Sequence, residues 1–147
     1  MIDLSTPQLR LAFVTPTAQK YGLEPALVCA VCEQESGWEP GQARFEPEFL
    51  RHYVNPLNLP LLEAFDRATS WGLMQIMGQT AVELGCTGDL SALRTPDLGV
   101  TYGCKKLQKC FFAAAGDPTK ALLRYNGGGN ANYAPEVLAR VIHYRNL

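Results

Sequence analysis

In 147 residues a proline stands four times at the start of a helical pattern, at Thr6-Pro7, Glu24-Pro25, Thr95-Pro96 and Asp117-Pro118. Proline suits the first helical position. Its missing N–H has no intrahelical partner there, and its fixed φ already matches the helix. Threonine or aspartate just before it supplies a capping oxygen. The spacing predicts helices over about 7–20, 24–36, 96–115 and 118–125, with two more in "GQTAVELG" and over 134–145. Gly22 and Gly37 close the first two, and the triple glycine 127–129 must be a loop. Residues 38–70 are rich in proline and aromatics and predict only short helical turns near 47–53 and 60–66. No run alternates with period two, and no repeat or low-complexity tail is present. The expected class is therefore all-α, with a small irregular or β-like patch inside 38–75, in a single domain spanning 1–147.

Charge and composition exclude several functions. A net charge of −1 gives no basic surface to attract nucleic acid. No apolar run approaches the roughly 18–20 residues that cross a membrane, so no membrane insertion is expected. The stretch "MIDLSTPQLRLAFVTP" has neither a basic start nor a sustained apolar segment, so no signal peptide is read in it. That predicts a protein held in the cytoplasm until release, as in phage lysis, or a periplasmic one if a leader was removed. The five cysteines, Cys29, Cys32, Cys86, Cys104 and Cys110, are read as reduced thiols. Cys29 and Cys32 fall inside a helical pattern, and no second pair has zinc-ligand spacing. They are expected to pack as small hydrophobes. No metal or organic cofactor is implied, and a monomer is expected.

Two glutamates in "VCEQESGWEP" raise the question of chemistry. With about 100° per residue, Val28, Val31, Cys32 and Glu35 share one face, while Glu33 points about 140° away from Val28. Glu33 is thus predicted on a solvated face. Desolvation and the negative end of the helix dipole both raise the pKa of a carboxyl placed as Glu35 is. Such a group suits general acid work on a glycosidic oxygen. On this helix alone, Glu35 reads equally as an end-of-helix glutamate whose tip reaches water.

Two further stretches bear on the choice. In "SWGLMQIMGQTA", Gly72 permits a close approach to a ligand, and Gln75 offers an amide. In "LLRYNGGGNANY", Tyr125 and Asn126 precede a flexible glycine loop and Tyr133. Phenol, amide and loop together suit a polar, aromatic-lined groove. Met74 and Tyr133 also read as plain core residues.

Taken in order, "CEQESGWEP", "WGLMQIM" with "QTA", "LLRYNGGG" and "YAPEVL" resemble the motifs of lytic transglycosylases and goose-type lysozymes over about residues 20–145. The resemblance implies a lysozyme-like fold and a peptidoglycan-cleaving glycosidase. Its substrate would be glycan strands, cut at the β-1,4 bond between N-acetylmuramic acid and N-acetylglucosamine. By the resemblance, Glu35 is the general acid and Ser36 follows it. Met74 and Gln75 take the places that line the glycan groove. Tyr125 is the tyrosine whose hydroxyl contacts the catalytic carboxyl, Asn126 stands beside it, and Tyr133 lies near the cleft.

The resembled family divides on mechanism. Inverting hydrolysis needs a second carboxylate to hold water. Lytic transglycosylation needs only the first, because the muramyl 6-hydroxyl attacks and leaves a 1,6-anhydro end. The residue six before Gly72 is Asp66, where many transglycosylases have serine and goose-type lysozymes have their second carboxylate. Met77 stands where those lysozymes have another acid, and the stretch from Glu35 to Asp66 is longer than theirs. Glu46 and Glu48 lie in that insertion, and Glu46 competes with Asp66 as a water or substrate ligand. A salt bridge to Arg44 or Arg51 is its plainer reading. The balance leans to goose-type hydrolysis using Asp66 or Glu46, with lytic transglycosylation as the alternative. Chitin or another N-acetylglucosamine polymer is a lesser substrate alternative. A non-catalytic wall-binding or virion module is the alternative of another class.

Overall fold

The computed structural model describes residues 1–147. Eight α-helices dominate it: α1 (Pro7–Lys20), α2 (Pro25–Ser36), α3 (Pro47–Phe49), α4 (Leu61–Arg67), α5 (Gly78–Glu83), α6 (Pro96–Ala113), α7 (Pro118–Asn126) and α8 (Tyr133–Arg145). All four proline-led starts are realised. Thr6 caps α1 through Oγ1, which accepts from the Leu9 N–H at 3.2 Å. Asp117 caps α7 through Oδ1, which accepts from the Lys120 N–H at 3.2 Å. Each such cap contributes about 1 kcal/mol. Thr95 is extended at the start of α6 but makes no side-chain cap bond.

The patch expected inside 38–75 is a three-stranded antiparallel sheet of β1 (Ala43–Phe45), β2 (Thr69–Trp71) and β3 (Ile76–Met77), in that order. Ala43 pairs with Trp71 and Phe45 with Thr69, while Ser70 pairs with Met77. The third strand lies just beyond the expected boundary. A π-helical turn at Leu50–Val54, a 3₁₀ turn at Asn55–Leu57 and another at Leu90–Arg94 complete the chain.

The core explains the arrangement. α2 runs through the middle, buried from Ala26 to Cys32, and packs between α1 and α8. A cluster of 23 buried residues joins it to α6, α7 and α8. Each fully buried valine here, such as Val28 or Val31, contributes about 1.5–3 kcal/mol. Cys29, Cys32 and Cys104 belong to this core as free thiols, in line with their reading as small hydrophobes. The insertion has a separate small core of Val54, Ala64 and Ala68, with Phe49, Leu50 and Leu59 against it. It stands as a distinct wall beside the main helical body. No helix is long and apolar enough to cross a membrane.

Candidate active site

The last turn of α2 carries Glu33, Gln34 and Glu35 out of the core, and they part in two directions. Glu33 and Gln34 turn to α8. The Arg140 guanidinium donates to Glu33 Oε2 and, at 2.9 Å, to Gln34 Oε1. Tyr144 Oη donates to Glu33 Oε1 at 2.9 Å and itself accepts from Trp38 Nε1 at 2.9 Å. Glu33 is therefore half-buried and paired, not on a solvated face, because α8 covers the side that helical phase alone leaves open.

Glu35 turns to a groove of about 600 Å³. Burial raises its pKa above the ordinary 4.5, against the opposing pulls of a hydrogen bond from Tyr133 and of the charges on Lys106 and Arg44. Tyr133, the first residue of α8, donates from Oη to Glu35 Oε1 at 2.7 Å. The buried phenol is itself pushed far up by desolvation and by that carboxyl, so it stays a donor.

The contact expected of Tyr125 is thus made by Tyr133. Tyr125 still lines the groove, but its hydroxyl donates to the Met74 carbonyl at 2.7 Å. This fixes the loop between β2 and β3 against α7. The difference arises because the start of α8 folds back over the end of α2, a tertiary approach that local sequence does not encode.

The other expected positions separate into two groups. Gln75, Asn126 and Glu46 line the groove with Glu35. Gln75 sits at φ 48°, and its Nε2 donates to the carbonyls of Gly72 (3.0 Å) and Gln42 (3.1 Å). The amide oxygen is left without a protein donor. Asn126, oriented so that both ends of its amide are satisfied, accepts from the N–H groups of Asn130 (2.9 Å) and Gly129 (3.2 Å). It ties down the glycine loop, whose Gly129 also lines the groove. Glu46 forms an ion pair with Arg44 Nε at 3.1 Å.

Ser36, Gly72, Met74 and Asp66 do not face the groove. Ser36 is buried, with Oγ 2.9 Å from the Cys32 carbonyl and 2.8 Å from that of Leu73. It fastens α2 to the loop instead of meeting substrate. Gly72, at φ 74°, makes its close approach to protein backbone and not to a ligand. A Cβ there would stand 2.3 Å from the Leu93 carbonyl oxygen. Met74 is fully buried, packed on Gly103 of α6. Asp66 lies at the end of α4 in a separate cleft, with Glu63, Arg67 and Asp89. Burial and the Asp89 charge raise its pKa, while Arg94 lowers it. The turn into β2 carries it away from Glu35, so counting back from Gly72 does not locate a groove residue.

Lys106 is the groove residue that sequence reading missed. Its Nζ donates to the Tyr125 carbonyl at 2.7 Å and lies 4.1 Å from the centre of the Tyr125 ring. Burial lowers its pKa, while Cys110 and Glu35 raise it. Its signal was helical phase: Gly103 and Leu107 of α6 are buried on either side of it. Gln42, Arg44 and Ser70 also line the groove unannounced. Only three of the twelve lining residues are hydrophobic, which suits a hydroxyl-rich ligand.

The groove thus offers a raised-pKa carboxyl with a phenol on one oxygen, amides along the floor, and room for sugar rings. The profile of the transglycosylase SLT domain family matches residues 13–137, most of the chain, including every groove residue and Tyr133. The chain therefore belongs to the transglycosylase SLT domain family, enzymes that act on peptidoglycan.

Proposed function

We propose that this protein is a lytic transglycosylase in which Glu35 alone serves as acid and then as base. The observation that carries the reading is that Glu35 is the groove carboxylate without a cation at ion-pair distance. The other, Glu46, is paired with Arg44, and Asp66 lines a different cleft. The family match favours this alternative over goose-type hydrolysis. The continuous core, running from Val14 to Tyr144, supports reading the chain as one catalytic domain.

In this mechanism the protonated Glu35 gives its proton to the glycosidic oxygen as the bond from muramyl C1 breaks. The resulting carboxylate takes the proton of the muramyl 6-hydroxyl as O6 bonds to C1. The acid is regenerated, no water is consumed, and the product carries a 1,6-anhydro ring. Tyr133 donates to the carboxylate between the two proton transfers, when its charge is greatest. The Gln75 amide oxygen and Ser70 are placed to orient the sugars.

Mass spectrometry of purified wall digested by the protein tests this. Anhydromuramyl ends are expected. Reducing muramic ends alone would transfer the reading to hydrolysis, with Glu46 released from Arg44 to hold the water.

A further inference from the structure

A second pocket, of about 320 Å³, lies between α5, α6 and α7, and Lys106 is the side chain it shares with the groove. Lys106 and Lys109 of α6 and Arg124 of α7 line it, opposed by the single carboxylate Glu83. None of the three cations is among the ion pairs of the molecule. Glu83 accepts instead from Gln79 Nε2 at 3.1 Å. The three side chains share this one pocket, with Cys110 among them. Burial raises the pKa of the Cys110 thiol in this pocket, while Lys106, Arg124 and Lys109 each pull it down. Like charges gathered around one cavity repel one another unless an anion enters.

A glycan strand in the groove brings such an anion. Each muramyl residue carries its peptide on the lactyl group at C3, to the side of the sugar chain. That peptide must leave the groove laterally, and it bears free carboxylates. We propose that the pocket of Lys106, Lys109 and Arg124 binds a carboxylate of this peptide stem and makes the protein selective for stem-bearing muramyl units. The proposal rests on the peptidoglycan reading of the groove. Lys106 would sense both sugar and stem, while Lys109 and Arg124, which are exposed, would contact the stem alone.

Calorimetry on full-length Glu35→Gln protein tests the idea without cleavage. Three soluble ligands are compared: a disaccharide-peptide with free carboxylates, the same with amidated carboxylates, and the disaccharide alone. The free-carboxylate ligand should bind tightest, with an advantage that shrinks as salt rises. Combining Lys109→Gln with Arg124→Gln should cut that advantage by roughly three- to tenfold, the effect of losing two exposed charge contacts. Equal affinity for the three ligands, or an equal loss across all of them in the double variant, would overturn the subsite. Failure of the transglycosylase reading looks different: charge selectivity would persist in binding while wall digests lacked anhydro ends.

Discussion

Glu33 and Glu35 stand two residues apart on α2, yet one belongs to the seam with α8 and the other to the groove. At the seam, Glu33 meets a guanidinium and a phenol, and its charge is neutralised within the protein. In the groove, Glu35 meets only a phenol, with its nearest cations held off in other bonds. Arg44 is occupied by Glu46 and Lys106 by the Tyr125 carbonyl. The difference teaches how one helix end can serve two purposes. A paired carboxylate ties elements together, whereas an unpaired, desolvated one is kept ready to hold a proton. The tie between α2 and α8 and the carboxyl proposed as the acid thus fall to different side chains of the same turn.

The sharpest way to break that contrast is a pair of amide substitutions. Glu35→Gln should lower turnover on purified wall by about a thousandfold, the scale of a lost general acid, while leaving the far-ultraviolet spectrum unchanged. Glu33→Gln should change turnover by less than about threefold but cost about 1–2 kcal/mol in urea denaturation, since it weakens a partly exposed ion pair. A reversed pattern would mean the two glutamates had been assigned the wrong way round.

Tyr133→Phe should have the next largest effect, lowering kcat by about tenfold. It should also shift the pH profile. Glu35 must be protonated to act, and burial holds its pKa above 4.5, so the rate should fall as pH rises through that raised value. The Tyr133 hydroxyl favours the carboxylate. Removing it should move the alkaline limb to higher pH, and a limb moving down would refute this account. The smallest effect is on stability. A carboxyl whose folded pKa is raised contributes stability at low pH and loses it as pH rises through the folded value. The Gln variant has no such loss. Its melting temperature relative to wild type should therefore climb from pH 4 to pH 8, by roughly a few degrees.

Much of this organisation was legible in the sequence. The proline-led helix starts placed α1, α2, α6 and α7, and helical phase separated Glu35 from Glu33. Gln75 and Asn126, singled out by their motifs, both line the groove. What was not legible depends on how distant segments meet. Which tyrosine reaches Glu35 is decided by α8 crossing α2. Whether Met74 faces substrate is decided by the packing of its loop onto Gly103. Asp66 read as a second carboxylate because its spacing from Gly72 was right, but spacing along a chain says nothing of direction through a turn. Lys106 went unnoticed because a lysine in a helix usually faces water.

The loop between β2 and β3 is fastened from two sides, by Ser36 at the Leu73 carbonyl and by Tyr125 at the Met74 carbonyl. The end of α2 that carries Glu35 and the floor of the groove are thus one block. The opposite wall is joined to it through a short sheet and has its own small core. Such a division resembles an engine bolted to an exchangeable guide rail. Changes within residues 50–60 of that wall touch none of the bonds that hold Glu35, Ser36 and the loop in place.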